Sequence, residues 1–315
     1  MDISRRKFIK NVGVASVMAP LVSAPIAAWA QDVSCEPLKV HLFSKHLQFM
    51  DVKEAGQIAA ELGFDGLDLT VRPHGHVLPE NVETGLPIAI KDLKNSGLSC
   101  CMITTAISDV KNAFDVAIIR VAAKEGIPFY RCNWFKYHKE KTMPESLLFY
   151  QEKIKELSEV NRKYGVVGCY QNHAGTAIGS SYWEINELLK AVDPSYFGTQ
   201  YDIRHATVEG GLSWTNGLRL LKHHIKTIVL KDVKWGRVNG KWQLVNVPIG
   251  EGMVDFISYF KILKSSGLKP PVSLHLEYPL GGAESGSRTI SVDKKVVFDA
   301  MKKDLMAVHQ LWQQA

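Results

Sequence analysis

The chain has 315 residues, a formal net charge of +6, and 46% hydrophobic against 22% charged residues. That length holds two small domains or one large one, and a β/α barrel of about 250 residues counts as a single domain. Four positive charges and one negative charge fall in residues 1–30, so the remainder is only mildly basic, and a nucleic-acid partner has no electrostatic support.

Residues 1–30 read as a targeting segment rather than a fold element. A basic start containing Arg5, Arg6, Lys7 and Lys10 precedes an apolar run from Val12 to Trp29, and Ala28-Trp29-Ala30 offers small residues where a signal peptidase cuts. The pair Arg5-Arg6 followed by Phe8-Ile9-Lys10 resembles the twin-arginine export signal. An ordinary secretory signal or an uncleaved anchor is the alternative. Pro20 and Pro25 make the apolar run a poor membrane helix. Residues 31–315 are therefore expected to act in the periplasm with no stable membrane span after cleavage. The five cysteines, Cys35, Cys100, Cys101, Cys132 and Cys169, are odd in number and irregular in spacing, which is not a disulfide framework. The last four lie in apolar runs and read as small buried hydrophobes.

The rest of the chain alternates short apolar runs with longer amphipathic ones. A first strand near 39–43 is followed by a helix over 51–62 and a tight turn, Gly63-Phe64-Asp65-Gly66. A second strand at 67–71 precedes a helix over 87–96, closed by Gly97. The third strand is 100–105, with a helix over 110–125, and the fourth is 129–133. A long helix over 144–164 carries Pro144 in its first turn. Then come a fifth strand at 167–171, a helix over 182–192, a sixth strand at 198–203, a short helix over 218–224 and a seventh strand at 227–231. A loop with a hairpin at Asn239-Gly240 leads to a helix over 254–265, and the eighth strand is 272–277. A last helix over 294–312 has Asp293 as its N-cap. Eight alternations on nearly continuous apolar strands predict a single closed (β/α)8 TIM barrel over residues 31–315. No glycine-rich dinucleotide or phosphate loop is present.

Polar residues gather just after the strands, where such a barrel does its chemistry. The strand ends carry Ser44-Lys45-His46, then Asp68 with Arg72 to His76, Arg131 with Trp134, and Gln171-Asn172-His173. They continue with Asp202-Ile203-Arg204-His205, Lys231-Asp232 and His275-Leu276-Glu277. Any one of these has a bland reading: a lone histidine is usually a hydrogen-bonded structural residue, Asp68 can be a buried anchor, and Arg131 can pair with a barrel carboxylate. Their convergence on one rim predicts a pocket. Trp134, Trp214 and Trp235 offer faces for stacking on a sugar ring, or simply rim packing.

With these residues in view, the chain resembles the sugar phosphate isomerase/epimerase family, the xylose-isomerase-like barrels. The carriers are the Gly63–Leu69 turn and strand, Gln171-Asn172-His173-Ala174-Gly175, Asp202-Ile203-Arg204-His205, Leu230-Lys231-Asp232, the run from Pro248 through Gly250-Glu251-Gly252 to Phe256, and Leu276-Glu277-Tyr278. The resemblance implies one divalent ion, manganese or similar, held by a Glu, an Asp, a His and a Glu on the fifth to eighth strands. Asp202 and Glu277 match two of these ligands, and His205 matches a substrate-contacting histidine. Gln171 and Val229 stand at the other two positions. Gln171 offers an amide oxygen but no basicity, and Val229 offers nothing. The expected metal set is then Gln171, Asp202, Glu277 and His205.

The resemblance also implies proton abstraction next to a sugar carbonyl. Glu277 is the remaining base, and Lys231, His205 or His173 serves as acid or electrostatic partner. Arg72, His76, Arg131, Trp134, Arg204, Trp235 and His275 are the expected substrate contacts. The chemistry that suits this set is isomerisation, epimerisation, or β-elimination or hydration of an oxidised sugar, free or glycosidic rather than phosphorylated. The competing reading is a non-catalytic carbohydrate-binding barrel with a degenerate metal site. An endonuclease on the related DNA-repair barrel would need a richer set of metal-binding histidines and acids.

Overall fold

The computed structural model describes residues 37–315; the expected signal segment and Cys35 lie outside them. In chain order the elements are β1 (Val40–Phe43), α1 (Val52–Leu62), β2 (Gly66–Val71), α2 (Val82–Asn95), β3 (Ser99–Thr105), α3 (Ala113–Lys124) and β4 (Phe129–Arg131). Then follow α4 (Met143–Tyr164), β5 (Val167–Gln171), α5 (Tyr182–Leu189), β6 (Phe197–Asp202), α6 (Ile203–Gly210), α7 (Trp214–Leu221) and β7 (Ile225–Leu230). The chain ends with β8 (Asp232–Val238), β9 (Lys241–Val247), α8 (Phe256–Ser265), β10 (Val272–Leu274) and α9 (Lys294–Gln314).

Eight strands close in the order β1-β10-β7-β6-β5-β4-β3-β2, while β8 and β9 form a separate hairpin. Every barrel pairing is parallel. β1, β2, β6 and β10 are buried along their whole length, as expected where helices cover one face and barrel side chains the other. This is the single (β/α)8 barrel that the apolar runs predict.

Local signals fix the ends of the elements. Asp51 caps α1 by accepting from the Glu54 amide, and Gly63 stops it in a left-handed conformation (φ 95°). Thr142 with Glu145 and Ser181 with Glu184 form capping boxes on α4 and α5. Several boundaries differ from expectation; the fourth strand stops at Arg131 and the helix before β7 spans Trp214–Leu221, and three further differences have clear causes. α2 starts at Val82, before Pro87, because burial of Val82 and Leu86 carries the helix through a proline that forfeits one amide. The sixth strand ends at Asp202, and Arg204 and His205 lie in the first turn of a helix that the apolar pattern does not announce; the Asp202 side chain caps it by accepting from the His205 amide. The eighth strand ends at Leu274, so Glu277 lies three residues beyond it. Trp214 is a core residue, edge-on to Tyr259, and not a sugar platform. Cys132 and Cys169 are buried, Cys100 and Cys101 half-buried, and all four are free thiols.

α9 carries a pH-sensitive tie to the barrel. Buried Asp304 accepts from the Ile249 amide (3.3 Å) and the Tyr278 hydroxyl (3.1 Å). Burial lifts its carboxyl from 3.8 to about 7, against those hydrogen bonds and Lys303. Between those values the folded chain binds a proton that the unfolded chain releases. Stability is therefore greatest at the acid end of that window and falls as pH rises through it. Asp304→Asn mimics the protonated form, so urea midpoints at pH 5 and pH 8 are expected to lie closer together in the variant than in the wild type. Equal spacing would contradict this assignment.

Candidate active site

The carboxyl ends of the barrel strands bring together a dense ion cluster. Lys231, one residue past β7, sits 3.2 Å from Asp202 Oδ2 at the end of β6 and 3.4 Å from Glu277 Oε1 beyond β10. Lys45, two residues past β1, is 3.5 Å from the same Glu277 oxygen, and His275 Nδ1 is 3.6 Å from it. Asp202 is fully buried, Lys231 is 3% exposed and Glu277 is 25% exposed, so the open end of the cluster is the Glu277 carboxylate. Burial alone would raise the Glu277 carboxyl, but Lys231, His275 and Lys45 outweigh it and hold it well below the usual range. Glu277 is an anion at neutral pH.

Hydrogen bonds lock the surroundings. Gln171 Nε2 donates to Asp202 Oδ2 (2.8 Å), and Arg131 Nη1 donates to Gln171 Oε1 (3.0 Å). An arginine only donates and a carboxylate only accepts, so this amide has one permitted orientation. Asn172 brackets the Asp202 backbone, its Oδ1 accepting from the amide and its Nδ2 donating to the carbonyl. Arg204 donates to His205 Nδ1 (3.1 Å), which puts the His205 proton on Nε2, 3.6 Å from Asp202 Oδ2. His173 Nδ1 donates to the Ala174 carbonyl, leaving the Nε2 lone pair free of that bond. Its ring lies 4.0 Å from that of His205 and 4.5 Å from that of Trp134, and Arg131 stacks on Trp134 at 4.3 Å. Burial lowers His173, and His205 further, so both are neutral near pH 7.

Beneath the cluster, Asp68 ties β2 to β3 and β10 by accepting from Thr104 and Ser273. Ser273 also meets His275 Nε2 at 3.0 Å, and the His275 ring stacks on Phe43 at 4.2 Å. Burial drives His275 down to about 3. Arg72 approaches the same ring, with its guanidinium 5.6 Å from the Phe43 centroid.

Most of the expected residues therefore share one rim: Glu277, Lys231, His205, His173, Asp202, Gln171, Arg72, Arg131, Trp134, Arg204 and His275. Two do not. His76 is bonded to Thr70 and Ser44, is lowered to about 4 by burial, and lines a different cavity of about 530 Å³ with Asp51 and Arg288. Trp235 is half-exposed on the hairpin. Two participants carry no assigned role in the sequence reading. Lys45 was legible as the charged end of the first strand. Asn246 was not, because its position depends on hairpin register: from β9 it accepts from Arg204 and donates to the Glu277 carbonyl.

The same geometry tests the expected divalent ion, and the residues present do not fit one. The Gln171 oxygen faces Arg131, the His205 lone pair faces Arg204, and a lysine ammonium lies against both carboxylates. Val229, in register beside Asp202, has no lone pair to offer. Among the described residues, no three His, Cys, Asp or Glu converge to hold a metal.

Comparison with solved structures agrees on architecture. A D-psicose 3-epimerase from Clostridium cellulolyticum H10, solved with D-tagatose, superposes with a TM-score of 0.65 at 14% identity, covering 87% of this chain and 99% of that one. A xylose isomerase-like TIM barrel protein from Mycobacterium smegmatis, in complex with magnesium, gives 0.64 at 12% identity over 88% and 99%. The 3-keto-D-glucoside 4-epimerase from E. coli gives 0.63 at 13% over 85% and 99%. At these identities the likeness concerns the fold. No curated protein sequence matches the chain. A family model described as xylose isomerase-like TIM barrel matches residues 57–291, most of the sequence, and the chain belongs to that family.

Proposed function

We propose that the protein is an exported carbohydrate-active enzyme that removes a proton from the carbon next to a keto-sugar carbonyl, leading to isomerisation, epimerisation or β-elimination. The observation that carries this reading is the Glu277 carboxylate, ionised and partly open at the catalytic rim among Lys231, Lys45 and His275. A carboxylate so strongly stabilised is a weak base at rest. When a substrate oxygen draws an ammonium away from it, that stabilisation falls and its basicity rises. His173, on the loop after β5, holds a neutral imidazole three strands round the barrel, suited to take or give the second proton. Buried donors without a hydrogen-bond partner in the protein, Trp134 Nε1 and His205 Nε2, belong to the two rings packed against His173 and suit sugar hydroxyls. The structural neighbours named for D-psicose and 3-keto-D-glucoside epimerisation support a keto-sugar substrate. Export rests on Arg5, Arg6 and the apolar run behind them.

The test is solvent deuterium. Incubation in D2O with D-fructose, D-psicose, D-tagatose and a 3-keto-D-glucoside is expected to label the carbon beside the carbonyl of at least one, or to release its elimination product. Sugar binding without label or product in any of them would favour the non-catalytic barrel.

A further inference from the structure

We infer that the Lys231 ammonium is the resident cation of this site, filling the electrostatic role that a divalent ion would otherwise take between Asp202 and Glu277. The contacts of 3.2 and 3.4 Å place one buried positive charge against the two acids that a metal would need. The flanking groups share the Asp202 carboxylate with that ammonium and offer a divalent ion no further lone pair. Gln171 turns its nitrogen toward Asp202 and its oxygen toward Arg131, and His205 presents N–H rather than a lone pair. Lys45 adds a second ammonium on Glu277. A divalent ion added to this set would face Lys231, Lys45 and Arg131 with two carboxylates already engaged, and like charges a few ångströms apart repel strongly even in a polar protein interior.

The catalytic part of the inference rests on the proposed function. The proton leaves carbon for a Glu277 oxygen, the C–H electron pair becomes a carbon–carbon double bond, and the carbonyl π pair moves to oxygen. The Lys231 ammonium neutralises the resulting enolate without being consumed.

Metal binding tests the inference whether or not any sugar reacts. Full-length protein, stripped with chelator and titrated with Mn2+, is followed by the paramagnetic resonance of free Mn2+. Wild type is expected to show no saturable site. Lys231→Met, which keeps the stem but removes the charge, is expected to gain one saturable Mn2+ site, at least about tenfold tighter than any residual affinity of wild type, as the lost repulsion requires. Lys231→Ala serves if the methionine variant does not fold. One saturable Mn2+ in wild type, abolished by Asp202→Asn, would overturn the inference, as would a folded lysine variant with no gain. Metal-free wild type that also fails to exchange deuterium would sink the enzymatic reading and leave the cation assignment standing.

Discussion

Glu277→Gln is expected to retain the fold and sugar binding while losing at least about a hundredfold in deuterium exchange or elimination, the usual scale for a general base. Glutamine fills the same volume and can still accept from Lys231 or Lys45 through its amide oxygen, but it cannot take a proton at neutral pH. The substitution leaves Lys231 with Asp202 as partner, 3.2 Å away, whereas Lys45 has no other ion pair in the cluster. A modest stability loss is therefore expected beside the large kinetic one, and circular dichroism separates the two. His173→Gln is the natural comparison: if it abolishes exchange while Glu277→Gln leaves it untouched, the roles of the two residues are reversed. An unchanged rate in Glu277→Gln means that Glu277 is not the base.

The barrel was legible because its strands are largely buried and read as apolar runs of three to seven residues, each followed by a polar strand end. Boundaries were less legible where tertiary burial overrides local preference, as at Pro87, or where an acid serves two purposes, as at Asp202. Asp202 is both a cluster carboxylate and a helix cap, and a strand pattern gives no hint that a helix starts on the next residue. The acids and bases of the rim could be named from their places after the strands. Which atoms face which could not. The orientation of the Gln171 amide and the tautomer of His205 depend on arginines 40 and 1 residues away in sequence, and those two details decide between a metal site and an ammonium site. Asn246 illustrates the same limit, since only the β8–β9 register brings it to Glu277. The hairpin turn itself was readable: Asn239 and Gly240 both adopt positive φ, as a tight two-residue turn demands.

The run from Gly250-Glu251-Gly252 to Phe256, one carrier of the family resemblance, proves to be scaffold, and this yields the second large expected effect. The amides of Gly250, Gly252 and Val254 all donate to the carboxylate of Asp232, at 3.0, 2.9 and 3.2 Å, together with that of Val233 at 2.8 Å. A Cβ on Gly252 would stand 2.2 Å from Asp232 Oδ1 and 2.5 Å from the Val233 carbonyl, so glycine is the residue that lets the backbone wrap this closely. Asp232 is buried, and burial raises its carboxyl against the pull of the four amides. Asp232→Ala strands four donors in the interior at about 1–3 kcal/mol each, partly relieved by water and loop relaxation. A total loss of about 3–5 kcal/mol is expected, read as a lower urea midpoint at unchanged slope. Glu251→Ala, which removes only an exposed pair with Lys303, is expected to cost under about 1 kcal/mol. An Asp232→Ala protein within about 1 kcal/mol of wild type would show that the loop holds without its acid. The effect should also reach the chemistry, because the backbone that Asp232 pins begins one residue after Lys231, and a loosened Asp232 removes the support that keeps the ammonium between Asp202 and Glu277.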